Sequence, residues 1–166
     1  MLETPTIGLA ARVLEKLRGR GETLVVAESC TGGLLAGALT SISGSSDVVW
    51  GGYVSYANGA KTAMIGVAPS LLAPDGPGAV SEEVARAMAE GALKAARAAE
   101  PKVAVAVAIT GVAGPTGSEK KPVGLVHFAV ATPAGTRHVE KRYGSLDRAT
   151  IRELSVRQAL EMLLEG

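Results

Sequence analysis

Three short segments hold side chains whose types could carry chemistry. The first is Glu28-Ser29-Cys30-Thr31-Gly32-Gly33, which directly follows the apolar run Leu24–Ala27. A polar, glycine-containing turn between a strand and a helix presents hydroxyls and free backbone N–H groups, which suit a phosphate or carboxylate. The second is Thr110-Gly111-Val112-Ala113-Gly114, at the end of another apolar run that closes on Ile109. Neither segment has the spacing of a Walker loop or a dinucleotide fingerprint. On spacing alone, plain capping and tight packing stand open beside an anion site.

The third segment is Gly44-Ser45-Ser46, followed by Tyr56-Ala57-Asn58-Gly59-Ala60-Lys61. A serine hydroxyl attacks poorly unless a base takes its proton. Lys61 can be that base only if burial or a nearby cation keeps it neutral, and Tyr56 could then orient the proton. Residue types alone favour the plainer assignment, in which Ser45 or Ser46 caps a turn, Tyr56 packs and Lys61 is solvated. Ten extended residues would hold Ser46 and Tyr56 about 30 Å apart. A shared site therefore needs the chain to fold back, with a helical turn over Asp47–Trp50 and a hinge at Gly51-Gly52, or a contribution across a dimer interface.

Other reactive types carry less. Cys30 sits where a helix N-terminus would lower a thiol pKa, but a lone cysteine without a nearby histidine usually serves as a small buried residue. His127 shares a strand face with Leu125, Ala129 and Ala131 and is expected to be packed. His138 alternates with charged residues and is expected to face solvent, and no acidic partner is evident for either. Arg148 opens the last helix, where the dipole disfavours a cation unless an anionic ligand compensates. Glu119-Lys120-Lys121 reads as a solvated loop.

The elements that must position these residues follow from periodicity. Ile7, Ala10, Val13, Leu14 and Leu17 recur at helical spacing behind a possible Thr6 cap, and Arg18-Gly19-Arg20-Gly21 ends that helix. Strands are expected at 23–27, 53–56, 103–109, 123–131 and 136–143, the last two joined through Pro133-Ala134-Gly135. Helices are expected at 34–42 and 59–65, from Ser81 to about Ala99, and after an Asp147 cap. Val103–Ile109 is apolar on both faces, so it should be central, with its alanine face admitting a close helix. The order predicts one domain over 1–166: a three-layer α/β/α sandwich with a mixed, mostly parallel sheet of about five strands. Parallel strands would open both glycine turns on the same sheet edge, where ligands of such folds bind.

Composition narrows the partners. Lys and Arg total 17 against 16 Asp and Glu, and aromatic residues make up only 3%, so neither an electrostatic footprint nor a stacking platform for nucleic acid is present. A single cysteine excludes an internal disulfide and a cysteine zinc cluster. No apolar run reaches the ~20 residues of a membrane span, and residues 1–20 do not read as a signal peptide. A cytoplasmic protein without cofactor or metal is the expectation.

Taken together, these segments resemble the carboxy-terminal domain of the CinA (competence/damage-inducible) proteins. The resemblance rests on Ala27–Gly33, Ile42-Ser43-Gly44-Ser45-Ser46, Tyr53–Lys61, Gly78-Ala79-Val80-Ser81, Gly91-Ala92-Leu93-Lys94, Thr110–Pro115 and Lys121-Pro122-Val123-Gly124. It covers nearly the whole chain in order. The chain differs at Ala57 and Gly59, where the family commonly has Ser and Glu.

The stand-alone form of that domain hydrolyses the carboxamide of nicotinamide mononucleotide to nicotinate mononucleotide and ammonia. The resemblance thus implies a metal-independent serine-lysine amidohydrolase of pyridine nucleotide salvage, without the pyrophosphatase-linked domain of longer family members. Carried onto this chain, Ser46 would be the nucleophile, Lys61 the base and Tyr56 its helper. Ser29, Thr31, Gly32, Gly33, Thr110, Gly111 and Arg148 would bind the nucleotide substrate. A homodimer is expected. Two other readings stand beside this one: a non-catalytic nucleotide-binding module of the competence or DNA-damage response, and a serine-lysine amidase for another small amide.

Overall fold

The computed structural model describes residues 2–118 and 120–166; Glu119, in the loop expected around it, lies outside them. Helix α1 (Thr4–Gly19) leads to β1 (Thr23–Glu28), α2 (Leu34–Thr40), a 3-10 turn (Ser45–Asp47) and β2 (Val49–Val54). Then come α3 (Asn58–Ile65), α4 (Pro69–Leu72), α5 (Glu82–Ala99), β3 (Val103–Gly111), β4 (Leu125–Thr132), β5 (Gly135–Arg142) and α6 (Arg148–Glu165). The five strands form one sheet in the order β2-β1-β3-β4-β5. β2 and β3 flank β1 in parallel, whereas β3–β4 and β4–β5 pair antiparallel. This is the expected three-layer α/β/α sandwich with a mixed sheet, four of its strands pointing the same way.

Each sheet face has its own core. Val26, Val105, Val107, Ile109 and Phe128 pack with α1, α2 and α6 on one side. On the other, Ala106, Ala108, Ala129 and Ala131 meet the alanine-rich face of α5. Small side chains on both partners let that helix lie close, which is what the alanine alternation in β3 predicts. Ser81 and Asp147 cap α5 and α6, accepting from Val84 N–H at 3.2 Å and Thr150 N–H at 2.7 Å.

Three local expectations change. Thr6 is not a cap: the cap position is Glu3, three residues earlier, with Pro5 in the first turn of α1. The Thr6 hydroxyl is buried, donating to Glu153 Oε2 at 2.8 Å and accepting from Arg157 Nε at 2.9 Å, which ties α1 to α6. Gly51 and Gly52 are strand rather than hinge; a Cβ on Gly52 would meet Val26 Cγ2 at 2.6 Å, so the glycine permits close strand packing.

His138 does not face solvent. Its ring stacks on His127, and Nδ1 of His127 meets Nε2 of His138 at 2.8 Å. Glu140 and Glu82 stand 3.8 and 3.7 Å from the pair, so the histidines do have acidic neighbours. Those carboxylates come from the next strand and from α5, which linear proximity does not reveal.

Candidate active site

Because β1, β2 and β3 are parallel, the turns that follow them open on one edge of the sheet. The Ser29 turn is fastened to both neighbours: Ser29 N–H donates to Ile109 O at 3.0 Å, and Ser55 N–H donates to Glu28 O at 2.9 Å. Lys61, in the first turn of α3, is only 1% exposed. Its Nζ lies 2.8 Å from Tyr56 O, 2.9 Å from Ser55 O and 2.9 Å from Ser29 Oγ. Burial lowers the Lys61 pKa to about 8.

This geometry accommodates both protonation states. As an ammonium, Lys61 donates to all three oxygens. As an amine it has two N–H groups and one lone pair. Two carbonyls take the N–H groups, and the lone pair is left for the Ser29 hydroxyl, which then donates to Nζ. Ser29 and Lys61 thus have the geometry that a serine nucleophile and its base would require.

Ser46 is not part of this arrangement. It is exposed in the 3-10 turn that precedes β2, beside the Arg18–Asp47 ion pair. Val48 O accepts from Leu24 N–H at the start of β1, which fixes that turn at the amino edge of the sheet. Lys61 follows β2 at the carboxyl edge. A six-residue strand at ~3.3 Å per residue puts about 20 Å between the edges. The chain does not fold back, and the serine that meets Lys61 is Ser29.

Tyr56 also differs from its expected role. Its backbone carbonyl, not its phenol, holds Lys61. The phenol is exposed at the rim, where its Oη accepts from Arg148 Nη2 at 3.1 Å. Arg148 Nη1 donates to Gly114 O at 2.7 Å. Arg148, Tyr56, Thr110 and Gly111 line a cavity of about 340 Å³ with Ser29, Cys30 and Lys61. Thr110 Oγ1 donates to Ala79 O at 2.7 Å, closing one wall.

Thr31, Gly32 and Gly33 belong to the scaffold of the turn rather than to the cavity lining. Glu28, fully buried, fills the position that sequence reasoning reserved for a ligand anion. Its Oε1 accepts from Thr31 Oγ1 at 2.6 Å, Gly33 N–H at 3.2 Å and Leu35 N–H at 2.9 Å, and its Oε2 accepts from Ala36 N–H at 2.9 Å. Gly32 and Gly33 take φ of 56° and 105°, the left-handed backbone needed to wrap those amides around the carboxylate. Cys30 is 6% exposed, and burial pushes its thiol up to about 11, so it is held as a thiol, not a thiolate nucleophile.

Sequence reasoning missed Glu28 as an internal cap, and it missed Arg152. Arg152 follows Arg148 by one helical turn on α6, and its guanidinium reaches the carbonyls of Cys30 and Thr31. The i, i+4 spacing of the two arginines was the available signal, since it puts both on one helix face. Among the described residues, no three or more His, Cys, Asp or Glu side chains converge as metal ligands would. Among the described residues, no helix is long and apolar enough to cross a membrane.

Residues 6–166 match the family model of the CinA C-terminal domain. The chain belongs to that family. A CinA-like protein of Synechococcus sp. is 54% identical over 157 residues, which are 93% of this chain and 36% of that protein. One from Anaeromyxobacter sp. is 50% identical, with 93% and 36% covered. The chain thus spans about a third of the length of these relatives. Among solved structures, the competence/damage inducible protein CihA of Agrobacterium tumefaciens superposes with a TM-score of 0.91 at 47% identity, covering 99% of this chain and 97% of that one. A CinA superfamily protein of Escherichia coli gives 0.88 at 32% identity, with 99% and 93% covered.

Proposed function

We propose that this domain is an amidohydrolase that removes ammonia from the carboxamide of nicotinamide mononucleotide, with Ser29 as nucleophile and Lys61 as base. The observation that carries this reading is the 2.9 Å contact between Lys61 Nζ and Ser29 Oγ at the base of a cavity. Membership in the CinA family supports the substrate class.

Neutral Lys61 takes the Ser29 proton as Oγ attacks the carboxamide carbon. The tetrahedral intermediate then collapses, Lys61 returns a proton to the departing nitrogen, and ammonia leaves an ester on Ser29. Water, deprotonated by Lys61, attacks that ester; as the C–Oγ bond breaks Lys61 returns the proton to Ser29 Oγ, and the acid product loses its own proton to solvent and leaves as the carboxylate. Arg148 at the rim binds the phosphate of the nucleotide, with Thr110 and Gly111 along the wall. No step is assigned to a metal.

The test is ammonia release from nicotinamide mononucleotide by purified protein. Turnover should disappear in Ser29→Ala and Lys61→Met and survive in Ser46→Ala. Full activity in Ser29→Ala, or none in the unaltered protein, would falsify the proposal. Saturable nucleotide binding without turnover would favour the regulatory module, and turnover of other small amides alone would change the substrate.

A further inference from the structure

The partners of Lys61 are all uncharged. Its Nζ touches Ser29 Oγ and the carbonyls of Ser55 and Tyr56, and at 1% exposure it has little water to screen it. The titratable or charged groups that reach its cavity from other elements are the Cys30 thiol, the Tyr56 phenol and the Arg148 guanidinium of α6. Burial keeps Cys30 a neutral thiol. Glu28 engages both carboxylate oxygens with Thr31 and the amides of Gly33, Leu35 and Ala36. From α5, Gly91 packs against Ile65 O with no room for a Cβ, beside an apolar cluster that includes Val84 and Met88. Among the described residues, no carboxylate lines the cavity.

The ligand of the proposed reaction brings a charge of its own. The ring of nicotinamide mononucleotide is a pyridinium, bonded directly to the carboxamide carbon. For attack, that carbon must come to about 3–3.5 Å from Ser29 Oγ. Lys61 Nζ stands 2.9 Å from the same oxygen. The ring cation then lies within roughly 5–8 Å of Nζ. Like charges that close in a water-poor cavity repel, and the repulsion disfavours whichever of them can be discharged. The N-alkylated ring has no proton to lose, and arginine keeps its own. Only the Lys61 ammonium can yield.

We propose that the substrate prepares its own base: as the pyridinium ring enters the cavity, it drives the proton of Lys61 into solvent and leaves the amine that Ser29 needs. This rests on the Ser29–Lys61 reading above. The N–H bond breaks with its electron pair left on Nζ, and the proton leaves on water through the cavity mouth. When Oγ attacks the carboxamide carbon, that lone pair receives the serine proton. Burial already brings the Lys61 pKa to about 8, so a modest repulsion empties it near neutral pH. A nucleotide with an uncharged ring leaves the ammonium undisturbed. By linkage, the preference of the site for the cationic ring rises with pH.

Calorimetric titration of Ser29→Ala, in which no turnover is expected, tests this with two ligands that share carboxamide, ribose and phosphate. One is nicotinamide mononucleotide; the other is benzamide riboside 5′-phosphate, whose ring is an uncharged phenyl. At about pH 7.5, titrations in buffers of different ionisation enthalpy should show the pyridinium releasing about half a proton more than the phenyl. The shared phosphate cancels from that difference. Between about pH 6.5 and 9.5, the affinity ratio should shift roughly five- to tenfold toward the pyridinium. Both effects should vanish in Ser29→Ala/Lys61→Met. In the unaltered protein, the pH midpoint of single-turnover hydrolysis should lie about one unit below that of kcat/KM, which provides the test if Ser29→Ala does not fold. Equal proton release by the two ligands, a difference that survives Lys61→Met, or coincident pH midpoints would overturn this inference alone, provided that the unaltered protein releases ammonia. No ammonia from the unaltered protein would overturn the Ser29–Lys61 reading, and this inference with it.

Discussion

Lys61 Nζ and Ser29 Oγ lie 2.9 Å apart although 32 residues separate them, and two carbonyls of the Ser55-Tyr56 turn complete the contacts of the amine. The lysine is buried with hydrogen-bond acceptors and, among the described residues, pairs with no carboxylate. Burial favours the neutral form and lowers its pKa to about 8. The proposed mechanism uses the deprotonated form as base, so kcat/KM should rise with pH through about 8 and level off above it. A rate profile flat between pH 6.5 and 9.5 would contradict this.

Arg148 offers its guanidinium to Tyr56 Oη and Gly114 O at the cavity rim and makes no hydrogen bond to Ser29 or Lys61. A role in binding rather than chemistry follows. Arg148→Ala should raise KM by roughly 10- to 100-fold, the range of one or two charge-assisted hydrogen bonds, with kcat little changed. Arg148→Lys should recover part of the loss. Steady-state kinetics on the two variants would show it, and a fall in kcat at constant KM would contradict it.

Glu28 organises the turn from inside the protein. Replacing it with Gln puts an amide NH2 among N–H groups that now share a carboxylate, leaving at least one buried donor unpaired. That costs about 1–3 kcal/mol, or roughly 2–10 °C in Tm for a domain of this size. Thermal unfolding of Glu28→Gln should show a drop in that range, and Thr31→Val a smaller one. An unchanged Tm in Glu28→Gln would show that the four hydrogen bonds carry little.

The His127–His138 pair should make stability sensitive to mild acid. Burial lowers the His127 pKa, and the neighbouring His138 lowers it further, against the opposing pull of Glu140 and Glu82. An imidazole whose folded pKa lies below its unfolded value near 6.5 is stabilising in its neutral form. That contribution is complete above about pH 6.5 and is lost as pH falls through the folded pKa. Tm should decline between pH 7 and 5, and His127→Gln should flatten the decline. An equally steep decline in the variant would assign it elsewhere.

Much of the frame was legible in the sequence. The two-faced apolar pattern of Val103–Ile109, the glycine turns and the Ser81 and Asp147 caps report local preferences, and local preferences survive in the fold. The site was legible in its parts but not in its pairing. Ser29, Tyr56, Lys61, Thr110 and Arg148 all stand out by type and spacing, yet which serine meets Lys61 depends on which sheet edge each occupies. Parallel pairing of β1 with β2 decides that, and it sends Ser46 to the opposite edge. Glu28 misled for a related reason: its position before the turn gives no sign that its carboxylate curls back onto the amides that follow.

β2 pairs with β1 on one side and has no strand on the other, although the turn it leads into supplies both carbonyls that hold Lys61. An edge strand therefore gauges the distance between the proposed nucleophile and base. A slip of one residue would move Lys61 by about 3.3 Å relative to Ser29, enough to silence the pair while both cores stay packed. Catalytic competence should then fail ahead of the fold under mild denaturant. Trp50, the single tryptophan and a member of that strand, is a built-in optical gauge of the event.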